Sequence, residues 1–132
     1  MLMTEAELTD FAESWIAFIK ATENSEEHKA LFWVFDREYD LMNKEPEEIW
    51  RLILKVLSLN NSNEIQENLS AGLLEDLLAK HGSAMIDQVE KEAKSNPLFA
   101  KLLGGVWQNS MTDEVWARVQ AVWSSRGWDG IV

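Results

Sequence analysis

The hydrophobic residues of this chain recur every three or four positions, which is the spacing of one face of an α-helix. The first such run includes Phe11 and Trp15. It follows Thr4 and Glu7, the residue pair of a capping box, whose side chains satisfy free backbone N–H groups at a helix start. We therefore predict a first helix that ends near Lys20.

A second helix is predicted after Ser25, with a broad apolar face. The residues on this face are Leu31, Phe32, Val34, Phe35, Tyr39 and Met42. Trp33 falls on the opposite side of the helix, where its neighbours include Asp36, Arg37 and Asp40. A large apolar ring in this setting is predicted to face solvent, to contact a partner, or to be covered by another part of the chain.

Pro46 begins a third predicted helix, because proline suits the first helical turn. Apolar residues cover more than half of its circumference as far as Leu59, so we expect this helix to be central. Between residues 69 and 107, Ser70 is predicted to cap a helix that ends at Gly82 in the left-handed conformation. Ser83 is predicted to cap the next helix.

The pair Asn96-Pro97 ends that helix and starts another, because proline disfavours the helical conformation of the preceding residue. Thr112 is predicted to cap a last helix, which ends at Arg126-Gly127 and leaves a tail that contains Trp128. These patterns predict an all-α fold of six or seven short helices in a compact orthogonal or HEAT-like bundle of helical hairpins. At 132 residues, the chain is predicted to be a single helical domain over residues 1–132.

Composition narrows the classes of function. The chain has no cysteine, which excludes disulfides, thiolate nucleophiles and zinc–thiolate sites. No apolar run reaches the ~18 residues of a membrane-spanning helix, and the N-terminal residues lack the features of a signal peptide. We therefore expect a cytoplasmic protein that does not bind a membrane. Direct binding to nucleic acid is disfavoured, because the 12 Lys and Arg residues are not concentrated in any stretch.

Acidic residues are concentrated in the first half of the chain. The net charge of the chain is −11, and residues 1–66 contain 14 acidic and six basic residues, against nine and six in the remainder. Nine acidic residues lie in predicted first helical turns, where the helix dipole favours negative charge without any partner. The alternative is an acidic face that attracts a basic partner.

Glu75, Asp76 and His81 form the one candidate cluster for metal-dependent or acid–base chemistry. On a single helix, Glu75 and Asp76 lie about 120° and 140° from His81, so the three side chains do not converge. Asp76 is well placed to pair with Lys80 one turn later. No established catalytic, phosphate-binding or paired-histidine motif occurs, and we expect no catalytic residue, bound metal or cofactor.

Several motifs follow one another in the second half of the chain. They are L-x-A-G-x-L-E-D-L-L from Leu69, H-G, I-D-x-V-E, N-P-x-F, L-x-G-V-W and V-W-x-R-V. On these motifs, the region from Trp33 to Val119 resembles a family of uncharacterised bacterial helical proteins. That family usually has proline where this chain has Leu73. The resemblance implies a helical domain and no activity, because the family is itself of unknown function.

The leading functional hypothesis is a binding protein that occludes a basic protein partner, as an immunity protein or inhibitor does. Its candidate binding residues are Trp33, Asp36, Arg37 and Asp40. A small hydrolase that uses Glu75, Asp76 and His81 is a second hypothesis from another class. A structural homo-oligomer that associates through exposed tryptophans is a third. Trp15, Trp50 and Trp107 are not among these, because they fall on predicted core faces.

Overall fold

A computed structural model describes residues 2–123 of the chain. Helices are the regular secondary structure of this range, which confirms the all-α class. The predicted helix end at Arg126-Gly127 and the tail with Trp128 lie outside the described residues. Contacts divide the chain into two compact units, with the division after Ile65. The single domain over residues 1–132 stays a prediction, and each unit is described by itself.

The first unit contains four helices that pack on one another. They are α1 (Glu5–Lys20), α2 (Glu26–Ala30), α3 (Trp33–Lys44) and α4 (Pro46–Leu59). The capping box of α1 is confirmed, since Thr4 Oγ1 accepts the Glu7 N–H and Glu7 Oε1 accepts the Thr4 N–H. Helix α4 packs against both α1 and α3, which makes it the central helix of this unit.

The core of the first unit combines aliphatic residues with two tryptophans. Its buried side chains on α1, α3 and α4 are Leu8, Phe11, Ala12, Trp15, Val34, Leu41, Met42, Ile49, Trp50, Leu52, Ile53, Val56 and Leu57. Trp15 Nε1 donates a 2.7 Å hydrogen bond to Glu38 Oε2, which joins α1 to α3. The prediction that Trp15 and Trp50 lie in the core is therefore confirmed.

The Glu48 carboxylate is fully buried within this unit. Its Oε1 accepts the Met3 N–H at 2.5 Å, and its Oε2 accepts Arg51 Nη1 at 2.9 Å. Arg51 Nη1 also donates to the Met3 carbonyl at 2.9 Å. The segment before α1 is therefore bound to α4 through charged groups, and the Glu48 carboxylate raises the pKa of Arg51.

The helix predicted after Ser25 is divided in two. Ser25 caps α2 as predicted, because its Oγ accepts the His28 N–H at 3.1 Å. Helix α2 ends at Ala30, and a turn at Leu31 and Phe32 precedes α3. This turn places Trp33 in the first turn of α3.

As far as residue 123, the second unit consists of the end of one helix, a π-helical segment and three further helices. Helix α5 (Asn63–Asn68) continues into the π-helical segment Leu69–Leu74 and then α6 (Glu75–Ser95), followed by α7 (Pro97–Leu103) and α8 (Asp113–Val122). The prediction that Ser70 caps a helix is wrong. Its side chain is buried and donates a 2.7 Å hydrogen bond to the Leu102 carbonyl.

The predicted helix break at His81-Gly82 is present as a kink, but Gly82 does not adopt the left-handed conformation predicted for it. Helix α6 continues to Ser95, with a kink where His81 has φ −132° and ψ 25°. No described glycine has a positive φ. A Cβ at Gly82 would lie 3.0 Å from Val115 Cγ1, so glycine is needed here because α8 packs closely against α6. Ser83 consequently lies within α6 and does not cap a new helix.

The later helix boundaries agree with prediction. Asn96 Oδ1 accepts the backbone N–H groups of Leu98 and Phe99, and Pro97 occupies the first turn of α7. Thr112 caps α8. The core residues of this unit on the π-helical segment and α6–α8 include Leu69, Leu73, Leu74, Leu77, Leu78, Met85, Ile86, Val89, Phe99, Leu102, Leu103, Val115 and Val119.

The side chain of Arg118 connects α8 to α6 through ion pairs. It forms a two-point contact with Glu90, with Nε to Oε2 at 2.9 Å and Nη2 to Oε1 at 2.5 Å, and Nη2 also contacts Asp87 Oδ1 at 2.7 Å. The contact with Arg118 lowers the pKa of Glu90.

Among residues 2–123, no helix combines the length and the apolar character needed to cross a membrane.

Candidate functional site

Trp33 and Arg37 lie against the same buried ring of α1. The Trp33 and Phe11 rings stack with centroids 5.9 Å apart and planes inclined by 28°. One turn after Trp33, the guanidinium carbon of Arg37 lies 5.8 Å from the Phe11 centroid, within the range of a cation–π contact. Trp33 is nevertheless 45% exposed, which confirms that it faces solvent.

These side chains line a cleft of about 410 Å³ between α1 and α3, called here the Trp33 cleft. Its lining residues are Met3, Glu7, Asp10, Phe11, Ser14, Trp33 and Arg37. Hydrogen bonds from Thr4 lower the pKa of Glu7, and the charge of Arg37 lowers it further. The Asp10 side chain makes no hydrogen bond or ion pair with the residues that the structure describes. The cleft therefore combines aromatic rings with charged groups of both signs.

Asp36 and Asp40 do not line this cleft. They lie one turn apart on the neighbouring stripe of α3, and both are exposed. Asp40 Oδ1 is 3.6 Å from Lys44 Nζ, whereas Asp36 has no such partner within residues 2–123. Of the four candidate binding residues, the structure thus places Trp33 and Arg37 in the cleft and the two aspartates beside it.

The sequence prediction for the other aromatic residues near Trp33 is wrong. Helical periodicity assigns Phe32, Phe35 and Tyr39 to a core face, but they are 47%, 47% and 60% exposed. The predicted apolar face is wider than the surface that α1 and α4 cover, so Val34, Leu41 and Met42 are buried while the three rings remain outside. The width of the apolar face could have indicated that some of these rings are exposed, because one neighbouring helix covers only part of so wide a face.

These exposed rings contact further rings on α1 and α2. The Phe18 and His28 rings stack with centroids 4.7 Å apart, and both approach Phe32, at 6.1 Å and 6.3 Å. Phe32 lies 5.5 Å from Phe35, and Tyr39 follows one turn later on the same side of α3. We name Phe18, His28, Phe32, Phe35 and Tyr39 the aromatic ladder. It is a second exposed feature of the first unit.

In the second unit, Glu75 stabilises the loop that follows α7. Its Oε1 accepts the Trp107 backbone N–H at 2.9 Å, and its Oε2 accepts Asn109 Nδ2 at 3.3 Å. Asn109 has φ 48°, in the left-handed region that asparagine tolerates better than most residues. The Trp107 side chain is 59% exposed, so its predicted place in the core is wrong. Glu75 thus has a structural role in this loop.

Asp76 and His81 are placed differently from Glu75. Partial burial raises the pKa of Asp76, and the nearby charge of Glu75 adds to the shift, while Lys80 opposes it. His81 lies at the α6 kink and lines a cleft of about 310 Å³ that also includes Lys80, Ser83 and Thr112. Neither Glu75 nor Asp76 lines this cleft.

The described part of the chain contains no group of three or more His, Cys, Asp or Glu side chains arranged to hold a metal ion. Glu75, Asp76 and His81 therefore do not form such a group.

Comparison with known proteins confirms that the chain resembles a family of unknown function. A family model described as "Family of unknown function (DUF6869)" matches residues 20–127. This chain belongs to DUF6869. No curated protein and no solved structure matches it. The DUF6869 match includes α2 and α3 but starts at Lys20, so the Trp33 cleft combines α3 residues of the matched region with α1 residues that precede it.

Proposed function

We propose that this DUF6869 protein is a cytoplasmic protein-binding module that occludes a basic surface of another protein, in the manner of an immunity protein or inhibitor. The observation that carries the proposal is the half-exposed Trp33 on an acidic unit, held in place by Phe11. Tryptophan and arginine are the residue types most enriched among the strongest contacts of protein interfaces. Trp33 and Arg37 supply both, one turn apart.

Charge supports a basic partner. The first 65 residues contain 14 acidic and six basic residues, which makes this unit strongly negative. The side chains of Asp10, which lines the Trp33 cleft, and of Asp36, on α3, have no ion-pair partner among the described residues. Such carboxylates attract a positively charged surface over several ångströms and increase the association rate at low salt. The same charges repel nucleic acid.

The rigidity of the surface supports tight binding. Trp33 stacks on Phe11, and the hydrogen bond from Trp15 to Glu38 joins α1 to α3 beneath the surface. Side chains that are already held in one position lose less conformational entropy when a partner binds. The Trp33 cleft is therefore suited to receive a partner side chain without rearrangement.

The test is capture of a partner from lysate of the source organism, with purified protein as bait at low and high salt. Trp33→Ala is the test variant, and Trp107→Ala is the matched control, because Trp107 is an exposed tryptophan of the second unit. We expect a partner that is retained at low salt by the unmodified bait and by Trp107→Ala. It should be lost at high salt and with Trp33→Ala.

A partner retained equally by Trp33→Ala, or one that is insensitive to salt, would contradict the proposal. Circular dichroism of each bait checks that the variants are folded, so that a loss of capture reports on the surface. Light scattering of the bait alone tests the homo-oligomer. A dimer that Trp33→Ala dissociates would mean that Trp33 contacts a second copy of the chain.

A further inference from the structure

The aromatic ladder is the most extensive exposed apolar feature of the described first unit outside the Trp33 cleft. Phe32, at the N-cap of α3, and Phe35 and Tyr39, within α3, each expose close to half or more of their surface. Contiguous exposed apolar surface of this kind is typical of an interaction site, because exposing large rings to water is unfavourable. The Trp33 cleft does not include any ladder residue. The ladder is therefore not explained by the binding residues considered above.

The rings of the ladder form an ordered row. Ring contacts connect Phe18 to His28, both to Phe32, and Phe32 to Phe35. Phe32, Phe35 and Tyr39 have the spacing i, i+3 and i+7, so they follow one stripe along about 10 Å of the helix. A partner helix with apolar side chains at the same spacing can lay them along such a stripe.

The charged residues next to the ladder indicate whether a partner surface there would be positive or negative. Asp36 projects about 40° to 60° around α3 from Phe32 and Tyr39, and it has no ion-pair partner among the described residues. The neighbouring bases Lys29 and Lys44 already lie 3.7 Å from Glu26 and 3.6 Å from Asp40. A basic side chain of a partner would therefore meet an unpaired carboxylate at the edge of the ladder.

The same charges argue against other occupants. A second copy of the chain would bring Asp36 and the rest of this negative unit close to an identical negative surface, which is unfavourable. An anionic lipid surface would be repelled for the same reason. An apolar stripe with a negative edge is complementary to a helix with one apolar face and basic flanks.

We propose that the aromatic ladder binds the apolar face of a basic amphipathic helix of the partner protein, with Asp36 contacting its lysine or arginine residues. This inference rests on the proposed function in one respect, since the partner is again a basic protein. It adds the secondary structure of the bound segment and a binding surface separate from the Trp33 cleft.

The test uses a fluorescein-labelled 18-residue peptide of leucine and lysine, with the leucines on one helical face, titrated with the full chain. Fluorescence anisotropy measures the affinity. A peptide of the same composition with its leucines spread around the helix is the patterning control. The unmodified protein should bind the amphipathic peptide at least about tenfold more tightly than this control, since only one apolar face matches the ladder.

Variants locate the binding site. Phe35→Ser with Tyr39→Ser should weaken binding at least about tenfold, as expected when central aromatic contacts are removed. Tyr39→Lys is a second variant at a strongly exposed position, which keeps the test decisive if the double variant fails to fold. Asp36→Asn should weaken binding by about twofold to fivefold and reduce its salt dependence, as expected for a charge at an interface rim. Trp107→Ala, in the second unit, should leave the peptide affinity unchanged.

Absence of peptide binding, equal binding of the two peptides, or unchanged affinity in both ladder variants would overturn the inference. So would self-association that Tyr39→Lys abolishes, because the occupant would then be a second copy. These failures are distinct from failure of the proposed function. If Trp33-dependent capture from lysate persists while the peptide does not bind, only the ladder inference fails.

Discussion

The two units differ in what they expose. In the described part of the first unit, the large apolar residues that are strongly exposed are Leu2, Phe32, Trp33, Phe35, Tyr39 and Leu59, whereas in that of the second unit Trp107 stands alone. Both units have well-buried cores, so the difference does not arise from poor packing of the first. The function proposed above assigns this exposed surface of the first unit to binding.

The units also use charge differently. In the first unit, the Glu48 carboxylate is fully buried and holds the segment at Met3. In the second unit, Arg118 joins α6 to α8 from a partly exposed position through Glu90 and Asp87. The acidic first unit therefore contains at least one carboxylate whose role is structural. Substitutions can separate the structural carboxylates from those available to a partner.

The largest effect on stability is expected at Glu48. Replacing it by alanine removes the acceptor of the Met3 N–H and one partner of the partly exposed Arg51. Leaving a buried N–H without an acceptor costs about 1–3 kcal/mol. The measurement is urea unfolding followed by circular dichroism. Glu47→Ala is the matched control, because Glu47 is exposed in the same helical turn and should change stability by about 1 kcal/mol or less.

Equal effects of Glu48→Ala and Glu47→Ala would contradict a structural role for the buried carboxylate.

Gly82→Ala tests close packing in the second unit. The new methyl group would lie 3.0 Å from Val115 Cγ1, and overpacking of this kind costs about 1–3 kcal/mol. The gain in helix propensity, about 1 kcal/mol, offsets part of this cost. Gly72→Ala is the control, because nothing lies within 4 Å of the position that its new methyl group would take.

Urea unfolding should show that Gly82→Ala destabilises the protein and that Gly72→Ala does not. Combining Gly82→Ala with Val115→Ala should cost less than the sum of the two single substitutions, because the smaller side chain leaves room for the methyl group. Additive effects would mean that Val115 does not restrict position 82.

Glu90→Gln should make stability less dependent on pH. Arg118 lowers the pKa of Glu90 in the folded protein, so this carboxylate contributes stability above its unfolded pKa of about 4.3. That contribution is lost as the pH falls through the lowered pKa. Thermal unfolding should therefore show a lower Tm for Glu90→Gln at pH 7 and a smaller difference at pH 3. A difference that grows at pH 3 would contradict the contact.

Asp76→Asn should have a smaller effect of the opposite sign. Partial burial raises the pKa of Asp76, so its charged form is less favourable in the folded protein than in the unfolded chain. The variant should raise the Tm slightly at pH 7. The difference should vanish below the unfolded pKa of about 3.9, where Asp76 is protonated in both states. A lower Tm at pH 7 would contradict this assignment.

Local features of the fold were predictable from the sequence. The capping box of Thr4 and Glu7, the Asn96-Pro97 boundary and the Thr112 cap depend on side chains within a few residues of the backbone groups they satisfy. These three predictions are confirmed because each cap is stabilised by hydrogen bonds between residues that are close in sequence. The exposure of Trp33 was predictable for the same reason, since helical periodicity alone places it away from the apolar face.

Features that depend on contacts distant in sequence were not predictable. Ser70 resembles a helix cap, but the carbonyl that it contacts is at Leu102. The sequence predicts the break at His81-Gly82, but it does not show that Val115 of α8 packs against Gly82. The exposure of the aromatic ladder was not predicted, because the sequence shows that this helix face is apolar but does not show how much of it the neighbouring helices cover.

The central claim, that the first unit provides the binding surface, is tested most directly by photo-crosslinking in cells of the source organism. A photoreactive p-benzoylphenylalanine residue would replace Trp33 in one strain and Trp107 in another, since both side chains are exposed. We expect a discrete crosslinked protein from position 33, which Asp36→Asn weakens, and none from position 107. A crosslinked partner at position 107 with none at position 33 would contradict the account.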